Sequence, residues 1–351
     1  MNLEARAFVR RNDGAFGEDP PFVTFLEDTE TPGEIKLCFA APDHSNNPDE
    51  PMGRIVVAAW ERFRQANQNH DALMAVREGD PRCINPCAPW QRALQEGYDS
   101  ALLTWLATQE TLSGRAVELV PSEPEGGATV DALIAPESEG GFGHEPKYVA
   151  LYHALVIARG FLDRRAQGTL PVGVASFKDH IRYHTYHGKV ADGKWQQHIV
   201  ADKRFGDYAT LDRLEATWDE LFAPVPFDPS ASWPTGNGPL ELGCERIGTH
   251  YMTLLHGIKT GNDEVDTKLL LDGPLRQVDS DSLYFRDLHL FDTLLHLLRA
   301  EAPVFCVQGS LHWMAQFEAL LEAFPPPRYK WTYLIGSTAC EYALAGPPKS
   351  L

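Results

Sequence analysis

The succession PVFCVQG, SLHWMAQFEALLEAF and YKWTYLIGS near the end of the chain restricts the fold more than any other stretch. Its first segment is a short continuous apolar run, as expected of a strand buried on both faces. The middle segment has the length and apolar content of a packed helix, with Ser310 as the expected cap, and the third reads as a second buried strand. A parallel strand pair needs a crossover of about a dozen residues or more, usually a helix, so this order points to a parallel βαβ unit and an α/β chain. The GS at the end of the second strand is a weak anion-loop signal, with no Gly-rich phosphate fingerprint beside it.

The rest of the 351 residues supports that class. FVTFLED and EIKLCFAA read as strands. RIVVAAWERFRQAN has Ile55, Ala58, Ala59 and Phe63 at helical spacing, and residues 90–111 carry a stripe of Leu94, Tyr98, Ala101, Leu102, Trp105 and Leu106. The Pro-rich stretch PVPFDPSASWPTGNGPLEL reads as a linker, dividing residues 1–222 from a C-terminal α/β segment, 243–351. No apolar run is long enough for a membrane span, and MNLEARAFVRRND has no apolar signal-peptide core. Six scattered cysteines fit reduced thiols, so a cytoplasmic location is expected. Cys83 and Cys87, with Cys38 and Cys244, could hold a metal or be ordinary thiols; their spacing is not that of a zinc site.

Charge sorts the partners. The chain carries a formal −18, which argues against a general nucleic-acid binder. Residues 151–205 run the other way, with nine Lys/Arg against four Asp and five of the thirteen histidines. Arg164, Arg165, Lys178 and Arg182 could meet a phosphate backbone there, or form a solvated face.

The segment from Arg115 to Leu151 carries the clearest chemistry. It reads as three short strands, RAVELVP, ATVDALIAP and GHEPKYVAL, the last two joined by the turn-rich PESEGG. A hairpin centred on Ser138 sets Asp131 opposite Glu145. Opposed residues have Cβ atoms about 4.5–5.5 Å apart. Two carboxylates so close repel unless a cation lies between them, and Mg²⁺ accepts one or two carboxylates plus waters. Lys147, two residues on, could position the attacking water. Pro146 cannot donate to a sheet ladder, which places this strand at an edge or bulge.

With a helix before and a helix and strand after, the order from residue 90 is αβββαβ. That order, with Asp131 on the second strand and Glu145-Pro146-Lys147 on the third, resembles the PD-(D/E)XK nuclease superfamily over residues 90–178. The resemblance implies a mixed-sheet core within 90–205, Asp131 and Glu145 as ligands of Mg²⁺ (or Mn²⁺), and Lys147 as the catalytic lysine. Glu96 stands where some members place a further acid. The implied activity is metal-dependent phosphodiester hydrolysis of nucleic acid. A different class fits the −18 charge: a non-enzymatic acidic protein, such as an inhibitor, that neutralises a basic protein partner.

Two further features stand outside that segment. Asp192-Gly193 supplies a two-residue hairpin turn pairing Val190 with Trp195 and His187 with His198. The histidine pair could bind a metal or phosphate, or simply face solvent. Asp279-Ser280-Asp281 resembles the Asp-x-Asp metal motif of sugar transferases, without a sugar-site context.

Overall fold

The structure, a computed structural model, describes residues 22–42, 47–78, 85–124, 127–153 and 273–336, with isolated positions elsewhere. Its contacts divide the chain into two compact units, residues 1–126 with 283–351, and residues 127–282. The linker expected at 224–242 lies outside the described residues.

The first unit is built on strands β1 (Phe22–Asp28), β2 (Ile35–Ala41), β3 (Ala72–Arg77), β4 (Ala116–Pro121), β7 (Val304–Val307) and β8 (Tyr329–Ile335). Their order is β4-β3-β7-β2-β1-β8. The first four strands in that order are mutually parallel, while β1 is antiparallel to β2 and β8 antiparallel to β1. Strands β7 and β8 therefore run the same way, as a βαβ crossover requires, with β2 and β1 between them. No residue of β8 is buried, and Lys330, Tyr333 and Ile335 are exposed; it is an edge strand and not a second buried one. The ALMAVR strand, β3, was not expected from the sequence.

Helices cover both faces. Helix α1 (Pro51–Ala66) follows β2, and α2 (Trp90–Leu112) follows β3. One core joins Ile55, Trp60 and Phe63 of α1 and Leu102 and Leu106 of α2 to Phe25, Cys38, Leu73 and Phe305 of the sheet. The ring of Trp60 meets Phe305 edge-on at 5.1 Å. Gly53 allows the two helices to approach, since a Cβ there would lie 2.5 Å from the ring of Trp90. Helix α5 (Ser310–Ala323) takes the opposite face, its Trp313 against Phe39 at 4.9 Å. Its cap position is Gly309, not Ser310, and no side-chain oxygen caps it.

The second unit corrects the segment expected to carry the metal. The ATVDALI stretch is helix α3 (Ala128–Ile134), not a strand. Val130 and Leu133 are its buried residues, three apart on one helical face, and Gly127 opens it in the left-handed region. Residues 135–145 fold back over its end: the Phe142 and His144 amides donate to the carbonyls of Ala132 and Leu133, both at 2.9 Å. Residues 146–153 are helical, starting at Pro146. Proline suits that first helical position, where its missing N–H costs nothing. Of the expected αβββαβ order, the first helix and first strand are present and the second and third strands are largely helical, while of LPVGVASF only Leu170, Val172 and Gly173 are described, the last two in a turn with Val172 fully exposed and not in a buried strand. Strands β5 (Val190–Ala191) and β6 (Lys194–Trp195) pair antiparallel in the expected register, Val190 opposite Trp195, and the expected turn residues Asp192 and Gly193 lie outside the described residues. Helix α4 (Pro274–Arg299) contains the division between the units.

Candidate functional site

Asp131 is exposed on α3, and Glu145 is exposed just before the next helix. They do not face each other across a sheet. Glu145 and Lys147 do meet, Nζ to Oε2 at 3.5 Å, and the lysine also lies over the Tyr148 ring. Among the described residues no three His, Cys, Asp or Glu converge as metal ligands. Arg165 has intermediate exposure; Arg164, Lys178, Arg182, His187 and His198, with the Glu96 side chain, lie outside the described residues. Asp279 and Asp281 are engaged within their own unit: Asp279 accepts from Tyr152 at 3.0 Å and Arg276 at 2.9 Å, while Asp281 meets His144 at 2.8 Å. Of the thiols, Cys87 is exposed, and Cys38 and Cys306 are buried. Burial pushes both buried thiols well above the usual thiol range, which keeps them protonated and poor nucleophiles.

Polar groups gather elsewhere, at the carboxyl ends of the parallel strands. From β3 the chain passes through α2 to β4; from the adjacent β7 it passes through α5 to β8, in the opposite direction and on the opposite face. Ligands of open α/β sheets bind in the crevice outside the strand ends where the order reverses in this way. Arg77 closes β3 in register with Val307 of β7. Its side chain is buried, as are Ser122 after β4, Gln308 after β7 and Ser310 at the start of α5. The Gln308 side chain crosses the end of β3 to hydrogen-bond Ser122 Oγ, so its amide lies over the strand ends.

Three further contacts frame the crevice. Arg286 of α4 brings together Glu123, at 2.9 Å from its Nε, and Glu78, at 2.7 Å from its Nη2. Two carboxylates from neighbouring strand ends are thereby held by one guanidinium. Ser100 Oγ donates to the Glu78 carbonyl at 2.6 Å. Just before it Tyr98 has φ +59, a left-handed conformation rare for an aromatic residue, with Asp99 buried beside it. Such strain persists only where surrounding contacts impose it. Finally, His312 in the first turn of α5 meets Asp287 of α4, Nδ1 to Oδ1 at 2.6 Å. The carboxylate is 2% exposed and the imidazole 13%. A carboxylate on Nδ1 fixes the ring so that Nε2 is the accepting nitrogen.

Sequence reasoning placed His312 on a helix but gave it no role, and did not single out Asp287. The available signal was the run Gln308-Gly309-Ser310 after a buried strand, with a histidine two positions on. No protein-family model, curated protein or solved structure matches the chain.

Proposed function

We propose that the chain is an enzyme acting on a small polar substrate at the carboxyl edge of its parallel strands, with His312 as general base. The contact of His312 with the buried Asp287 carries this reading. In the reaction, Nε2 takes a proton from water as that water attacks a carbonyl or phosphoryl centre, and then returns it to the leaving group. Asp287 holds the tautomer and orientation and stabilises the imidazolium that forms between the two transfers. The test is turnover of a panel of carboxylic esters, amides and phosphoesters by the purified chain and by His312→Gln. A positioned base contributes about 10²–10⁴-fold, so a variant that turns over as fast as the parent would refute the assignment.

Metal-dependent nucleic-acid cleavage by Asp131, Glu145 and Lys147 stands as a second reading, supported by the Glu145–Lys147 contact. It calls for DNA and RNA in the same panel, with Mg²⁺ and with EDTA. Cleavage that EDTA stops and Lys147→Ala abolishes would favour that site over His312. The −18 charge supports a non-catalytic reading, association with a basic protein. Its signature is salt-sensitive binding without turnover of any substrate.

A further inference from the structure

Resting on the enzymatic reading above, we infer that Gln316 of α5 holds the water that His312 activates. Gln316 is 0% exposed, and neither its Nε2 nor its Oε1 has a hydrogen-bond partner among the described residues. A buried amide with both ends unpaired is costlier than an apolar side chain of the same shape. Packing alone therefore gives no reason for glutamine here. Water, which both donates and accepts, satisfies each end of the amide.

Helix geometry sets this amide beside the base. At 3.6 residues per turn, Gln316 lies at the middle of the buried arc of α5, between Trp313 and Leu320 on one side and Ala315 and Ala319 on the other. His312 is four residues earlier, so the two side chains are neighbours on one face, with Cβ atoms about 5–6 Å apart. Helical side chains lean toward the N-terminus and cover the preceding turn. The long Gln316 side chain thereby reaches back toward the level of His312, at the carboxyl ends of the strands. On the imidazole, Nδ1 is taken by Asp287, and Nε2 has no partner among the described residues. The ring keeps 13% of its surface open, so a water can bridge from the enclosed amide to the crevice.

Such a water gives one hydrogen to His312 Nε2 and the other to Gln316 Oε1. A lone pair is then directed at the electrophilic centre, and attack passes the first proton to Nε2 while the second stays on the attacking oxygen. The NH₂ end of the amide donates to a second water. Glutamine orients the attacking water in the same way at some phosphoryl-transfer sites.

Two measurements test this, one without any substrate. In the full chain, the Gln316 side-chain NH₂, assigned by NMR from its backbone, should show cross-relaxation with a bound water. Gln316→Met is the variant, because methionine matches the length and volume and removes only the polar ends. On a substrate turned over by the parent, it should lower kcat about ten-fold or more through the lost hydrogen bond. KM should change little and the thermal midpoint should not fall. Absence of the water contact would overturn the inference even where no substrate is found or the variant fails to fold. A parent-like kcat in Gln316→Met would overturn it too, as would a fall in kcat matched by a lower thermal midpoint, which marks a packing role. His312→Gln separates the two claims. An inactive His312→Gln beside a fully active Gln316→Met refutes the role of Gln316 and leaves the base. A His312→Gln as fast as the parent refutes the base, and a water contact found alongside it makes Gln316 a hydration site only.

Discussion

His312 and Asp287 come from different helices, and the 2.6 Å contact between them is nearly closed to solvent on the carboxylate side. An arrangement of this kind orients a base more firmly than either helix could alone. Replacing Asp287 with Asn removes the charge while preserving size, so the ring can adopt the other tautomer. Asp287→Asn should lower kcat by about 10²–10⁴-fold with KM little changed. Steady-state kinetics on an active substrate would check this, and an unaltered kcat would deny Asp287 its positioning role.

The Trp60–Phe63–Phe305 cluster ties α1 to the middle of the sheet. Phe305 is fully buried, and Phe305→Ala should destabilise the chain by about 3–5 kcal/mol. A urea titration reads this as a lower midpoint. A loss below about 1 kcal/mol would show that the cluster is not the packed centre its geometry indicates.

Gly141 has no room for a side chain, because a Cβ would lie 2.0 Å from the Ala135 carbonyl oxygen. Gly141→Ala should force residues 135–145 off the end of α3 and expose the amides of Phe142, Gly143 and His144. Hydrogen exchange would show faster exchange at those three positions. Unchanged protection would contradict the close approach.

Burial of His289 on α4 lowers its pKa below the usual histidine value of 6.5, against the weaker pull of Asp292 and Glu123. The unfolded chain therefore binds this proton more readily than the folded one. Stability associated with His289 is present above about pH 6.5 and is lost as pH falls through the lowered folded value. His289→Gln should accordingly flatten the decline in thermal midpoint between pH 7 and pH 5. An equally steep decline in the variant would show that His289 is not its source.

The sequence by itself determined the α/β class and most elements of the first unit, since burial leaves a local period. A continuous apolar run marked β7, spacings of three and four marked α1 and α2, and length with apolar content marked α5. The pairing of Val190 with Trp195 was legible from the Asp192-Gly193 dipeptide between them. Over the seven residues of ATVDALI the period failed: Val130, Ala132 and Ile134 alternate, yet Val130 and Leu133 also share a helical face. Tertiary burial decided for the helix, and with it went the opposition of Asp131 and Glu145. Proline at 146 was consistent with both an irregular strand and a helix start, and only the fold selected the second.

Tertiary structure alone also decided which strands are neighbours. Strand β7, from late in the chain, inserts between β2 and β3. That insertion creates the reversal of strand order and carries Gln308, Ser310 and His312 to the ends of strands formed much earlier. Such proximity leaves no periodicity in the chain. It follows from which apolar faces bury one another, and that is a property of the assembled sheet and its helices.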